Sequence, residues 1–384
     1  MLCWFRRRLG GRLPVNSTPG ALPELSFVVK TTDVFDGSHI PSLSFRVSSK
    51  IMNKIINWQK ASQWRLVIQW LFFGWCIFLG IQFWLFVRHF ETQGQAGYFS
   101  RPPGVEGFLP IGSLVSLKAW LLTGHFDTVH PAALVLFLTF LAMALMAKKS
   151  FCSFICPVGT LSEWTWKLGR KLFGRNFRVW RGLDLFLQFT KYALLYFFAQ
   201  LILVGMPIVA IREFLAAPYW AIADVKMLHF FTGMSTTSMV VILVLSLLSL
   251  LYKNFWCRYL CPYGALLGLL SMLSPFKVAR CEDRCINCGV CSRNCPAQID
   301  VQHKRQIHSP ECTGCLTCVS NCPEKGALSM AFWKRPVPGF AFVVIVMLLF
   351  SGGVATGMLS GHWQTSLTYF DYQRLIPLAP RLGH

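Results

Sequence analysis

The chain carries CINCGVCSRNCP at residues 285–296 and CTGCLTCVSNCP at residues 312–323. Both stretches follow the spacing Cys-x2-Cys-x2-Cys-x3-Cys-Pro, which is typical of chains that hold two [4Fe-4S] clusters. Three cysteines in one tight loop can reach three corners of a cubane, while the fourth points toward the neighbouring cluster. The spacing therefore predicts crosswise ligation, in which each run supplies its fourth cysteine to the cluster of the other run.

The predicted ligand sets follow directly from this rule. Cluster I is expected at Cys285, Cys288, Cys291 and Cys322, and cluster II at Cys312, Cys315, Cys318 and Cys295. Two other interpretations are a zinc site, whose four cysteines usually form two separate CxxC pairs, and a disulfide framework, which a reducing compartment opposes. The complete run occurs twice with proline after each fourth cysteine, and this favours the two clusters.

The composition places the chain in a membrane. Of the 384 residues, 54% are hydrophobic, 15% are aromatic and only 14% are charged, which exceeds what a soluble core needs. The net charge of +21 would agree with nucleic-acid binding, but no base-reading or stacking module accompanies it. We therefore expect lipid, and not nucleic acid, as the surrounding partner.

Five apolar stretches reach or approach the roughly 20 residues that span a bilayer. The predicted spans are 64–87, 131–147, 183–210, 234–252 and 336–357. The second is short, and the third is interrupted by Gly205 and Pro207, which a tilt or a kink can absorb. The sequence thus predicts an α-helical polytopic membrane protein.

The distribution of Lys and Arg predicts the orientation of these spans. Basic residues are abundant before the first span and in segments 148–182 and 253–335, and they are sparse in the other connections and the tail. By the positive-inside rule the N-terminus and both basic segments lie in the cytoplasm, and the C-terminus lies on the periplasmic or outer side. Residues 1–63 lack periodicity, and we expect them to be a disordered, basic cytoplasmic segment.

A second cysteine pattern occurs as an internal repeat. The chain carries KSFCSFICPVGTL at residues 149–161 and KNFWCRYLCPYGAL at residues 253–266, each after a predicted span. The four cysteines are Cys152, Cys156, Cys257 and Cys261. Three interpretations stay open: a shared four-thiolate metal or third-cluster site, two redox-active dithiols, or small buried residues in a tight turn.

Other electron carriers find little support in the sequence. None of the five predicted spans contains a histidine and no Cys-x-x-Cys-His occurs, so haem is not expected. Quinol in the bilayer is then the expected partner of the clusters. Its oxidation needs a proton acceptor near the headgroups, and Asp127 and His130, where the second span begins, are the candidates on the outer side.

Two CxxxCP motifs on membrane helices, followed by the two cysteine runs, resemble the NapH-type membrane ferredoxins of periplasmic nitrate reductase systems. Related proteins are MauN and the C-terminal halves of NosR and CcoG. The resemblance covers about residues 64 to 330. It implies electron transfer between the quinol pool and another redox protein subunit, with the four CxxxCP cysteines and the eight run cysteines at the family's motif positions.

The sequence departs from these relatives at both ends. The segment before the first predicted span is too short for the large extracytoplasmic domain of NosR-like proteins, and the tail is too short for the outer β-domain of CcoG-like proteins. We expect residues 64–280 to form a membrane domain, 281–330 an inserted cytoplasmic α+β ferredoxin module, and 331–384 a fifth span with an outer tail. An alternative function is a CcoG-like copper reductase or an assembly factor for a respiratory metalloenzyme.

Overall fold

The computed structural model describes residues 61–381, and this part of the chain is mostly helical. In chain order the α-helices are α1 (Ala61–Glu91), α2 (Pro110–Thr123), α3 (Pro131–Ala147), α4 (Ser150–Phe154), α5 (Pro157–Phe173), α6 (Arg181–Ala199), α7 (Ile208–Ala216), α8 (Pro218–Ala221), α9 (Ala223–Thr232), α10 (Thr236–Leu251), α11 (Phe255–Tyr259), α12 (Pro262–Ser271), α13 (Val290–Arg293), α14 (Thr317–Ser320), α15 (Gly339–Leu359) and α16 (Tyr369–Leu375). The strands are β1 (Phe276–Arg280), β2 (Leu328–Phe332) and β3 (Arg335–Val337).

Three helices in the described residues are long and apolar enough to cross a membrane. They are α1, α6 with its π-helical continuation to Gly205, and α15. Helices α9 and α10 pass the same test only as a pair bent by 79°, which gives up to four spans. The predicted spans 64–87, 183–210 and 336–357 coincide with the three long helices. The predicted total of five stays a prediction, because α3 has only 17 residues.

Helix α3 lies inside the described part of the molecule. Most of its side chains are small or apolar, and many of them are buried. Helix α15 packs along it, and the approach is close at glycines of α15. A Cβ atom at Gly357 would lie 2.5 Å from Cγ1 of Val135, and one at Gly353 would overlap Thr139. Glycine at these positions therefore allows the two backbones to meet.

The segment that carries the cysteine runs folds around a small sheet. Strand β1 pairs antiparallel with β2, and β2 pairs antiparallel with β3, so that Phe276 lies opposite Phe332 and Val278 opposite Met330. This segment is inserted between α12 and α15. The buried faces of β1 and β2 contribute to the same hydrophobic core as α3 and α15. The sheet thus ties the cysteine loops to the helices.

The two ends of the chain are described to different extents. Of the predicted disordered segment 1–63, residues 1–60 lie outside the described residues, and Ala61 already begins α1. The predicted outer tail contains α16, which starts with a capping box between Thr368 and Asp371. Tyr372 of α16 packs edge-on against Phe86 of α1, with ring centroids 5.1 Å apart. The tail is therefore packed onto the end of the first long helix.

Candidate metal centres

The eight cysteines of the two runs lie around two separate cavities. The first, called the inner cavity, is lined by Cys295, Cys312, Cys315 and Cys318 together with apolar side chains. Three of these cysteines expose less than a tenth of their surface. The inner cavity is thus a nearly dry space surrounded by four thiols.

The second cavity, called the exposed cavity, is lined by Cys285, Cys288, Cys291 and Cys322. Cys288 is exposed, and the neighbouring Ile286 exposes 63% of its surface. Each cavity therefore contains three cysteines of one run and the fourth cysteine of the other. This set of thiols fits the cysteine ligation of a [4Fe-4S] cluster.

The loops reach this arrangement through left-handed residues at equivalent positions. The second residue after the first cysteine of each run has a positive φ, 53° at Asn287 and 64° at Gly314. The fourth residue after it does too, 70° at Gly289 and 58° at Leu316. A left-handed leucine is uncommon, and Leu316 is also buried against the inner cavity. The repeated conformation curls each loop so that its first three thiols converge.

A single-ion site does not describe either cavity. Within residues 61–381, no group of three or more His, Cys, Asp or Glu side chains has the arrangement of a mononuclear metal site. Zinc would need its sulfur ligands about 2.3 Å from the ion. The four thiols around each cavity match in number the four cysteine ligands of a cubane.

The structure brings the two CxxxCP motifs together. The thiol of Cys156 interacts electrostatically with Cys152, Cys257 and Cys261. In each motif a short helix ends two residues before the second cysteine, and the proline after that cysteine is the first residue of the next helix. Cys261 accepts a hydrogen bond from the backbone N–H of Gly264 at 3.2 Å. These four thiols form one group, called the thiol group below.

The thiol group lies in a buried, positively charged environment. The buried ammonium of Lys149 interacts with Cys152, Cys257 and Cys261. Burial raises the pKa of Cys152 to about 11 and that of Cys257 to about 12. A reactive dithiol normally has a lowered thiol pKa, so these values do not favour the redox-dithiol interpretation.

The thiol group adjoins the inner cavity. Lys149 also interacts with Glu311, the residue before Cys312. Ser153, inside the first motif, donates a hydrogen bond to the backbone oxygen of Thr313 at 2.8 Å. The first CxxxCP motif therefore contacts the loop that supplies the first cysteine of the second run.

The predicted quinol-side residues lie in a buried polar network. Asp127 accepts hydrogen bonds from Ser116 at 2.7 Å and from the Trp220 ring N–H at 3.0 Å. The Nε2 atom of His130 lies 2.7 Å from the carbonyl oxygen of Trp220, and its Nδ1 atom lies 3.2 Å from Nη2 of Arg101. Both side chains are buried. They are held in place by neighbours within the protein.

Sequence reasoning missed the centre of this network. Arg101 pairs with Glu106 and with Asp224, each at 2.7 Å, and both carboxylates are fully buried. Arg101 stands in a Pro/Gly-rich stretch without periodicity, so no pattern in the sequence indicates its role. Its pairing with a residue more than a hundred positions away could not be read from spacing.

Comparisons with known proteins agree with the cysteine patterns. A family model described as a 4Fe-4S binding domain matches residues 129–176 and 234–280, the two regions that contain the CxxxCP motifs. A model described as a 4Fe-4S dicluster domain matches residues 277–323, which contain both runs. No solved structure matches the chain.

The relatives carry names connected with electron transfer. The chain is 43% identical over 335 residues to the proposed electron transport protein YccM of Escherichia coli (strain K12), covering 85% of this chain and 94% of YccM. It is 27% identical over 282 residues to the ferredoxin-type protein NapH of the same strain, covering 70% and 89%. It is 29% identical over 175 residues to the methylamine utilization ferredoxin-type protein MauN of Paracoccus denitrificans (strain Pd 1222), covering 43% and 54%.

These matches confirm the predicted resemblance to NapH and MauN. Together with the candidate membrane helices, they indicate an inner-membrane protein with 4Fe-4S ferredoxin domains. The chain belongs to the family of ferredoxin-type electron transport proteins that includes YccM, NapH and MauN.

Proposed function

We propose that the protein passes electrons between quinol in the membrane and a soluble or membrane-bound redox protein. Cluster I would bind in the exposed cavity and cluster II in the inner cavity, with the eight cysteine ligands given above. The observation that carries this proposal is the exchange of the fourth cysteine between the two loops. Quinol would be oxidised to quinone with release of two protons, and each of its two electrons would reduce one cluster by one electron.

The two cavities differ in exposure, and this gives the proposed path an order. The inner cavity adjoins the helices and the thiol group, whereas the exposed cavity carries Cys288 and Ile286 at the surface. Cluster II would then exchange electrons with the membrane side. Cluster I would exchange electrons with the partner protein. The exposed cavity lies at the surface, so the distance from this cluster to a docked partner would be short.

We infer that the basic segments, and with them both clusters, face the cytoplasm. The charge distribution along the sequence supports this orientation. Reporter fusions at residue 174, in the loop after α5, and after residue 381 test it. We expect a cytoplasmic reporter to be active at the first site and a periplasmic reporter at the second, and the reverse pattern would overturn the proposed sidedness.

The thiol group is a candidate third metal or cluster site. Four thiols lie together beside the inner cavity, and soft thiolate ligands select Cu(I), zinc or iron–sulfur clusters. Binding of a cluster there would extend the path into the membrane. Binding of copper would support the alternative function, a metal reductase or assembly factor.

The buried polar network around Arg101, which includes Glu106, Asp127, His130 and Asp224, is called the outer network. It supplies the candidate proton acceptor for quinol oxidation. Burial opposes protonation of His130, but the neighbouring Glu106 and Asp224 outweigh it and raise the pKa of the imidazole. Neutral His130 would accept the quinol proton, and the resulting imidazolium would be balanced by these two carboxylates. We expect the His130→Gln variant to oxidise quinol more slowly, with cluster content unchanged.

The central experiment is anaerobic purification of the full chain with measurement of iron, sulfide and copper. We expect about eight iron atoms per chain from the two clusters, and about four in the Cys288→Ser and Cys315→Ser variants. Reduction by decylubiquinol, followed by EPR, tests the donor. Iron-free protein would overturn the cluster assignment, and clusters reduced by dithionite but not by the quinol would overturn the donor.

The thiol group is tested by the same measurements on the Cys152→Ser/Cys257→Ser double variant. If the group holds a third cluster, the wild-type chain contains about twelve iron atoms and the variant about eight. If it holds copper, the variant loses copper and retains its iron. Unchanged iron and copper would leave the thiols as packing residues.

A further inference from the structure

Three buried lysines surround the inner cavity without a carboxylate partner in the described part of the chain. They are Lys148, Lys253 and Lys277, and their exposed fractions are 0%, 9% and 7%. None of them forms an ion pair within residues 61–381. Their ammonium groups donate instead to backbone oxygens of Ile307, Arg293 and Met272, at 3.2, 3.0 and 2.6 Å.

These lysines lie close to the cysteines of the inner cavity. Lys148 and Lys277 both interact electrostatically with Cys312, and Lys253 interacts with Cys295. The backbone oxygen that Lys148 binds belongs to Ile307, which lines the cavity. Positive charge from three separate segments of the chain therefore acts on cysteines of the inner cavity.

Two of the lysines also contact each other. The side chains of Lys148 and Lys277 interact directly, and each adds to the positive charge around the other. The charge of Lys253 is partly compensated by the ring of Trp166. The ring centroid lies 5.3 Å from the ammonium nitrogen of Lys253. Removing ammonium groups from water without a counter-ion costs several kcal/mol per group, so an anion is expected among them.

The backbone at Lys148 has an unusual conformation for a residue with a side chain. Its φ of 61° and ψ of −172° lie in a region that is occupied almost only by glycine. Such a conformation is strained for a residue with a side chain and persists where the surroundings fix it. Here it holds a fully buried ammonium beside Cys312.

The exposed cavity has a different environment. Arg280 is the cation that donates to the Cys285 thiol there, and it also lies 3.5 Å from the carboxylate of Glu282. The neighbouring carboxylate thus offsets part of its charge, whereas the three lysines have no carboxylate partner within the described residues. A cluster with four thiolate ligands carries net negative charge, and buried positive charge stabilises its reduced form more strongly than solvent-screened charge does.

We propose that Lys148, Lys253 and Lys277 are the counter-charges of cluster II and set its reduction potential above that of cluster I. This inference rests on the proposed function, because it requires a cluster in the inner cavity. It also accounts for reduction of cluster II by quinol, since a low-potential cluster of the plant-ferredoxin kind would be a poor acceptor. Cluster II is then the first cluster to be reduced.

The test is an EPR redox titration of the full chain, purified anaerobically, with dithionite as the reductant. The Cys288→Ser and Cys315→Ser variants identify the signals of clusters I and II. In the Lys148→Met, Lys253→Met and Lys277→Met variants we expect the equilibrium constant for reducing cluster II to fall about tenfold, as Coulomb's law predicts for a partly buried charge. A tenfold lower equilibrium constant corresponds to a reduction potential that is 59 mV lower for a one-electron couple. Cluster I should not shift.

Two matched variants separate charge from packing. Lys148→Arg keeps the charge, and we expect its cluster II potential to stay near that of the wild type. Lys304→Met removes an exposed lysine that lies between the two cysteine runs. We expect no shift of the cluster II potential, because solvent screens this charge. Loss of cluster II in the three Met variants, with retention in Lys148→Arg, also supports the proposal.

The inference fails if both clusters assemble in the Met variants and cluster II keeps its potential, or if Lys304→Met shifts it equally. It also fails if Lys148→Arg behaves as Lys148→Met does. Failure of the proposed function has a different signature, because the wild-type chain itself would then lack iron.

Discussion

Lys191 in the middle of α6 donates to Glu311, with 2.5 Å between Nζ and Oε1. The lysine is fully buried, and Glu311 directly precedes Cys312. Tyr192 donates to the same carboxylate oxygen at 3.2 Å. One carboxylate therefore fixes the start of the second cysteine run to a long membrane-type helix.

This pair predicts an unequal response to single and double substitution. Glu311→Gln leaves the Lys191 ammonium buried without a counter-charge, and we expect a loss of about 3–5 kcal/mol in the free energy of unfolding. The double variant Lys191→Met/Glu311→Met removes both charges of this pair and should lose less, although Lys149 then also lacks Glu311. Thermal unfolding in detergent measures both. Equal losses would show that the pair itself, and not the unpaired charge, determines stability.

The two CxxxCP motifs offer a matched pair of glycine substitutions. A Cβ atom at Gly159 would overlap the backbone oxygen of Cys152, whereas at Gly264 its nearest neighbour is the Cys261 sulfur at 3.4 Å, an ordinary contact. We expect Gly159→Ala to destabilise the protein by about 1–3 kcal/mol or more, because the backbone must move, and Gly264→Ala to have little effect.

The melting temperature and the metal content of both glycine variants provide the measurement. Similar melting temperatures and metal contents of the two variants would mean that the backbone of the first motif can move without a loss of stability. The comparison is informative because both glycines follow the Cys-Pro dipeptide at the same spacing.

The ion pair between α1 and α5 predicts an acid-dependent loss of stability. Arg65 binds Glu163 through two hydrogen bonds, at 2.5 and 2.8 Å. Burial alone would raise the pKa of the Glu163 carboxyl, but Arg65 and Lys167 lower it to about 2. The folded pKa is below the ordinary value of 4.5, so this stabilisation is complete above pH 4.5 and is lost as the pH falls toward 2.

Unfolding temperatures at pH 6 and pH 4 check this expectation. The wild type should lose more stability over this interval than Glu163→Gln, which has no carboxylate to protonate. Acid damage to bound clusters affects both proteins and cancels in the comparison. An identical pH dependence would contradict the role of Glu163.

Cysteine spacing was the most informative part of the sequence, because a motif of twelve residues fixes its own loop geometry. The family resemblance that it predicted is confirmed. A lysine deep in an apolar helix requires a carboxylate or a carbonyl partner, and Lys191 has such a partner in Glu311. Short sequence patterns are sufficient to predict a site where cluster ligation or burial of a charge requires particular residue types.

Contacts between distant segments were not predictable in the same way. Lys148 and Lys277 belong to segments more than a hundred residues apart, and nothing in their spacing indicated that they meet. The number of spans was equally uncertain, because α3 is apolar but has only 17 residues. Its burial among other helices explains its composition as well as a membrane would.

The outer network predicts the cost of removing its central cation. Arg101 is the partner of both Glu106 and Asp224, whose side chains are fully buried. Arg101→Gln would leave two carboxylates without their cation, and we expect a loss of at least about 3–5 kcal/mol in the free energy of unfolding. Arg212→Gln removes an exposed arginine of the nearby α7 and should change stability by less than about 0.5 kcal/mol. Adding Glu106→Gln to Arg101→Gln removes one of the two unpaired charges and should restore part of the loss. If Arg101→Gln melts at the same temperature as Arg212→Gln, the network does not stabilise the fold, and its burial would have to serve proton transfer instead.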